Sequence, residues 1–194
     1  MKMEQPLSSE ILNIDLAFTS DIPLKIKNQI NQESINLLKD SDFWRLTLTK
    51  WISFIRKNPK LTCPESVRRN NYLSLGLVFT DDLVISELNK EWRNKNLPTD
   101  VLSFAALEGD YVQPEIAALE LGDIFVSVET AFKQASFYNQ SLAQELSWLV
   151  SHGTLHLLGW DHSCSESLSK MLTLQEELIK MQKNRTSYKC VKPN

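Results

Sequence analysis

The chain has 194 residues, of which 42% are hydrophobic and 23% charged, enough apolar content for a sizeable core in one compact domain. A net charge of −3 argues against holding nucleic acid by overall charge, while leaving room for a local basic groove. No apolar run approaches the ~18 residues needed to cross a membrane, residues 1–10 lack a signal peptide's apolar core, and Cys63, Cys164 and Cys190 are too few and too scattered for a disulfide framework, which suits a reducing cytoplasm.

In chain order, Ile14, Leu16 and Phe18 alternate with polar residues and predict a short strand. Ile26, Ile30 and Leu37 recur at helical spacing, so residues 24–38 are expected to form one helix. The apolar and aromatic stretch Phe43–Ile55 predicts another. Prolines and polar residues break any period over 57–71, which reads as a loop or insertion. Tyr72–Phe79 predicts a strand. Thr80 follows as a helix cap, with Asp81 and Asp82 in the first turn where negative charge is favoured. Val84, Leu88 and Trp92 then give that helix an apolar stripe. Strands are expected at Val101–Ala106 and Ile124–Val128, with a loop over 109–120 between them, and a helix over 129–138. Ser141 and Gln144 match a capping box. The helix it opens runs through Leu146, Leu149 and Val150 to a group of histidines. Ser163 and Glu166 repeat the box ahead of an amphipathic final helix carrying Leu168, Met171, Leu172, Gln175, Leu178 and Ile179. Residues 184–194 read as a loose polar tail. The expected fold is α+β: a single domain over 1–194 with a small mixed sheet of about four strands and five or six helices, and a three-histidine metal site at the end of a helix.

The chain's three histidines, His152, His156 and His162, fall within eleven residues. Imidazole is the commonest neutral metal ligand near physiological pH. On a helix, residues i and i+4 share a face about 6 Å apart along the axis, so His152 and His156 reach one ion. Gly159 can end the helix in the left-handed conformation and turn the chain back, bringing His162 from a third direction. Three ligands leave a coordination position open, the mark of a catalytic site. Imidazole suits zinc, copper, iron and nickel, and one zinc per chain is favoured because hydrolysis needs no redox change. Water held by zinc ionises near neutral pH. Cys164 offers a fourth ligand that would close the site, but its place in the next helix's first turn speaks against it.

The spacing His-x3-His-x2-Gly-x2-His is also that of metzincin proteases, whose general base is a glutamate directly after the first histidine. Here that position is Gly153, which cannot take a proton, so a zinc peptidase is disfavoured.

The run His152-Gly153-Thr154-Leu155-His156-Leu157-Leu158-Gly159-Trp160-Asp161-His162 closely resembles the signature of the YbeY family. Leu88-Asn89-Lys90-Glu91-Trp92-Arg93, Pro98-Thr99-Asp100-Val101-Leu102-Ser103-Phe104 and Leu121-Gly122-Asp123-Ile124 resemble that family's further blocks in consistent order. Trp92 and Trp160 stand where the family often has tyrosine, Asn96 where it often has aspartate and Ala105 where it often has proline; none of these removes a metal ligand.

The resemblance implies a bacterial, cytoplasmic, metal-dependent endoribonuclease. It implies single-strand-specific cleavage in 16S rRNA 3′ end maturation and 70S ribosome quality control. The implied partners are rRNA, the ribosome and a ribosome-associated protein, with no membrane and no DNA. The family's arginine falls on Arg93, whose planar fork can hold phosphate oxygens bidentately and offset charge in the transition state. Lys90 and Lys95 flank it. The plain alternative is a solvated charge at a helix end. Asp161 reads either as a partner orienting an imidazole or as a turn residue. Asp100 and Asp123, at strand starts, are assigned no catalytic role. Trp92 can stack a base, but its place on the Val84–Leu88 stripe favours core packing. No general base is named, and attack by water or by the RNA's 2′-hydroxyl both stay open. A ribosome-assembly binding protein with a structural metal is the alternative of a different class.

Overall fold

The computed structural model describes residues 11–107 and 118–183. Among these, β1 (Asn13–Ser20), β2 (Tyr72–Thr80), β3 (Val101–Ala105) and β4 (Leu119–Ser127) form a mixed sheet in the order β1-β2-β4-β3. The β1–β2 and β2–β4 pairs are parallel, and β3 runs antiparallel to β4 along one edge. The helices are α1 (Leu24–Lys27), α2 (Gln32–Lys39), α3 (Ser41–Lys57), α4 (Glu65–Arg69), α5 (Asp82–Arg93), α6 (Val128–Phe137), α7 (Leu142–Leu157) and α8 (Ser165–Lys183). The architecture is α+β, as expected.

Period-2 alternation decides which side of the sheet is dry. Ile14 on β1, Leu73, Leu75, Leu77 and Phe79 on β2, and Ile124 and Val126 on β4 are all buried. They meet Trp44, Leu48, Trp51, Ile52 and Ile55 of α3 and Leu146, Val150 and Leu155 of α7 in one core. The other side of the sheet carries α5. Ile124 faces α7 and pairs with Ser103, so the next residue, Phe104, points the opposite way, onto Trp92 of α5.

Several expected elements are corrected. The single helix over 24–38 is two, because Asn31 caps a new start: its side chain accepts from the Ser34 N–H at 2.9 Å. The expected loop over 57–71 contains α4, seated by the buried Val67. Arg56 and Arg68 knit that segment to backbone carbonyls, Arg56 donating to Asn70 O at 2.7 Å and Arg68 to Leu61 O at 2.7 Å. These two changes raise the helix number from six to eight among the described residues. The cap of α5 is Asp81, not Thr80; it accepts from the Val84 N–H at 2.8 Å. The buried residues of α5 are Ile85 and Asn89, while Val84 is 39% and Trp92 64% exposed, so the Val84–Leu88–Trp92 stripe is not its core face. Strand β4 starts at Leu119, earlier than expected, and of the loop expected over 109–120 residues 109–117 lie outside the described residues. The tail over 184–194, Cys190 and residues 1–10 also lie outside them. No helix among the described residues is long and apolar enough to cross a membrane.

Candidate metal centre

The Ser141 hydroxyl accepts from the Gln144 N–H and the Gln144 side chain accepts from the Ser141 N–H, so the expected capping box opens α7. The helix is then buried over most of its circumference. Gly153 lies against the sheet: a Cβ there would come within 2.7 Å of Ile124 Cγ2. That close approach, rather than any proton chemistry, occupies the position where a metzincin places glutamate. It also fixes the rotation of α7, so that His152 and His156, on either side of Gly153, emerge half-buried from the core.

The helix ends in a Schellman motif. The Gly159 N–H donates to His156 O at 2.9 Å and the Trp160 N–H to Leu155 O at 3.0 Å. Gly159 has φ +81°, a conformation that favours glycine. The chain therefore doubles back, as the spacing predicts, and His162 returns to the other two rings. Trp160 anchors the turn from outside, its indole N–H donating to Thr62 O at 2.9 Å. Asp161 is exposed and its Oδ1 accepts from the His162 backbone N–H at 2.8 Å, so it acts as a turn residue.

The three imidazole rings sit 4.7, 5.3 and 5.1 Å apart, centroid to centroid. One ring nitrogen from each lies within 4.8 Å of the others. The Nε2 atoms of His152 and His156 are 3.1 Å apart. Two nitrogens bound tetrahedrally to one zinc at about 2.0–2.1 Å would be roughly 3.3–3.4 Å apart, so the spacing fits a shared ion.

Gln175 fixes the tautomer of His152. Its amide N–H donates to Trp148 O at 3.1 Å and reaches Ser151 Oγ at 3.3 Å, which turns Oε1 toward His152 Nδ1 at 3.1 Å. His152 Nδ1 then carries the proton and Nε2 presents its lone pair to the cluster. Nothing in the sequence singles Gln175 out beyond its place on the last helix. The available signal is a polar residue on the buried side of that helix, between Met171, Leu174 and Leu178.

Electrostatics favour the ligand form of two rings. Burial lowers the His152 pKa, and the neighbouring His162 adds to this; the Gln175 hydrogen bond and the charge of Asp100 oppose it. Burial lowers His156 to about 4, helped by His152 and His162 and opposed by a backbone hydrogen bond with Trp160 and by Asp161. Both shifts favour the neutral ring that metal binding requires.

Arg93 does not join the histidines. It is exposed in the last turn of α5 and makes no ion pair with a described residue. It stands on the opposite side of edge strand β3, since Trp92 beside it touches Phe104, whereas Ser103 and Ile124 face α7. Asp100 is held locally, accepting from the Val101 N–H at 2.8 Å and from Gln134 at 3.0 Å. Asp123 is exposed opposite Gly76, with its carboxyl pKa raised by burial and by Glu120. Cys164 is exposed, and its sulfur engages Ser167 across the start of α8. The expected Ser163–Glu166 box is replaced there, as Glu166 pairs with Lys170 at 2.7 Å.

Residues 26–183 match the sequence family described as "Endoribonuclease YbeY". A protein of that name from Prochlorococcus marinus (strain SARG) is 54% identical over 172 residues, covering 87% of each chain. Another, from Synechococcus sp. (strain CC9902), is 56% identical over 140 residues, covering 71% of this chain and 77% of its own. A solution structure of TM1509 from Thermotoga maritima aligns over 93% of this chain and 99% of its own, with 21% identity and a TM-score of 0.48.

Proposed function

The chain belongs to the YbeY endoribonuclease family, and from that premise we propose that it is a metal-dependent endoribonuclease whose metal is held by His152, His156 and His162. The observation that carries this reading is the convergence of three imidazole nitrogens within 4.8 Å, one of them in a fixed tautomer. The donor set, three imidazoles with no thiolate, suits zinc. Zinc, when bound, supplies Lewis-acid polarisation of a phosphoryl oxygen and water activation near neutral pH.

The chain's own groups do the rest. Gln175 holds the His152 proton on Nδ1, and the Gly159 turn holds His162 in place. Arg93, exposed at the end of α5, is the group assigned to the scissile phosphate, where a guanidinium offsets charge as the bond breaks. The substrate is single-stranded rRNA. The reading extends to 16S rRNA 3′ end maturation and 70S ribosome quality control in the cytoplasm, with the ribosome and a ribosome-associated protein as partners. The net charge of −3 supports such help, because an acidic chain does not find RNA by charge alone.

The test is cleavage of a labelled unpaired RNA and of its duplex by wild type and Arg93→Ala. The expected result is cleavage of the unpaired strand by wild type and its loss in Arg93→Ala, with metal content unchanged. Full cleavage by Arg93→Ala would remove Arg93 from the reaction. No cleavage by a metal-loaded wild type would favour a binding protein with a structural metal. A 2′,3′-cyclic phosphate on the product would identify the 2′-hydroxyl as the attacking group.

A further inference from the structure

Trp92 is one of four strongly exposed hydrophobic rings among the described residues, with Phe137, Tyr138 and Tyr72. The helical pattern of α5 aligns it with the buried Ile85 and Asn89, at i, i+4 and i+7. Yet it is 64% exposed, because β3 beneath it is the edge strand of the sheet. One side of the indole meets Phe104, with centroids 5.5 Å apart and planes at 62°. Phe104 in turn meets Phe125 at 5.8 Å and 82°. The ring is thus propped by two others and open to solvent, an arrangement that orders it before any ligand arrives.

Its surroundings are cationic on one side. Arg93 and Lys95 are exposed and form no ion pair with a described residue; Lys90, two residues before the ring, projects from the far side of the helix. Arg93 and Glu91 flank Trp92 about 100° to either side at helical spacing, so a polyanion passing the ring runs along its Arg93 side. The next exposed apolar residues of the helix, Leu83 and Val84, lie near its other end, about 12 Å away along the axis. The ring, with Arg93, Lys95 and the exposed Leu97, is too small a patch for a protein interface, which needs about 800 Å² per partner. It matches one flat base and the phosphates on either side of it.

The position is also right for the histidine cluster. Phe104 and Ser103 are consecutive on β3 and face opposite sides. Ser103 pairs with Ile124, against which Gly153 packs, and His152 adjoins Gly153. A strand crossing this edge meets Trp92 on one side and the imidazoles on the other.

We propose that Trp92, propped on Phe104, is a stacking platform for an unpaired base of the RNA substrate, with Arg93 and Lys95 on the adjoining phosphates. This rests on the endoribonuclease reading above and adds a physical source for single-strand preference: a base must be unstacked to lie on the indole.

The experiment is a titration of the full chain against an end-labelled short oligoadenylate in EDTA, so that cleavage does not intervene, and against an end-labelled abasic oligonucleotide of equal length, with affinity read from the label's anisotropy and the indole from tryptophan fluorescence. Wild type is expected to bind oligoadenylate with quenching of the exposed indole. Trp92→Leu is expected to bind about tenfold more weakly by anisotropy, while Trp92→Phe recovers most of the affinity. The abasic strand should bind both proteins alike, and Lys95→Ala should flatten the salt dependence without abolishing quenching. Equal oligoadenylate affinity for wild type and Trp92→Leu would overturn the proposal and leave the ring to a protein contact. Metal-restored cleavage separates the two readings. A wild type that cleaves RNA while Trp92→Leu matches it in KM retains the nuclease and loses the platform; a wild type that neither binds nor cleaves loses both.

Discussion

Gln175 sits fully buried between Leu174 and Leu178 and accepts a hydrogen bond from a histidine on the preceding helix. Its effect is to decide which nitrogen of His152 is available. Gln175→Leu, which retains the packing volume but not the acceptor, is expected to lower metal affinity about 10–100-fold with the far-ultraviolet circular dichroism unchanged; competition with a chromophoric chelator reads this out. Gly153 makes a second prediction at this scale. Adding one methyl places a carbon 2.7 Å from Ile124 Cγ2 and 3.2 Å from its Cγ1. Gly153→Ala should therefore cost about 1–3 kcal/mol in urea unfolding, and the loss should be smaller in an Ile124→Ala background, because the two sites are in contact. These residues differ from the ligands in legibility. The three histidines are readable because a helix and its Schellman turn are local structures, set by i, i+4 spacing and one glycine. Gln175 and Ile124 act through tertiary contacts, which no local spacing encodes.

Among the elements, α5 shows where periodicity misleads. The Val84–Leu88–Trp92 stripe is centred off the buried Ile85–Asn89 face, and no local pattern shows that β3 beneath Trp92 is an edge strand, so Trp92 reads as core and stands in solvent. The boundary between α1 and α2 escapes the same pattern for a related reason: apolar spacing continues across Asn31, while the capping bond there ends one helix and begins another. The start of α5 is tied to α6 by Asp82, which accepts from Lys133, Ser127 and Thr130. Burial pushes the Asp82 carboxyl up, but these hydrogen bonds and the Lys133 charge outweigh it and hold the group below its ordinary 3.8. A depressed carboxyl contributes stability that is present above its unfolded pKa and is lost as pH falls through the folded one. The stability difference between wild type and Asp82→Asn, measured by urea unfolding, is expected to be constant at neutral pH and to shrink below about pH 4. A difference that stays constant into acid would remove the charge from the account.

For the molecule as a whole, α7 joins the core to the chemistry. It packs on β3, β4, α6 and α8, so the helix that carries His152 and His156 is held from several sides. The segment over 58–71 adds a second brace through Thr62 and Trp160. A metal that binds only the folded chain stabilises it by mass action. EDTA should therefore lower the Tm of wild type by several degrees and leave His156→Ala unmoved, in differential scanning fluorimetry. The order of strands and their register lie beyond sequence reading, because pairing between distant strands depends on which faces find cover. The α+β class and the four strands lie within it, because alternation and capping signals are local.

The most direct measurement is metal content by mass spectrometry, on protein purified without a metal-affinity tag, for wild type and His156→Ala together. The account predicts about one zinc per wild-type chain, lost in the variant while its fold persists. A folded wild type that holds no metal, even after zinc is added, would contradict the three-histidine centre and with it the hydrolytic mechanism.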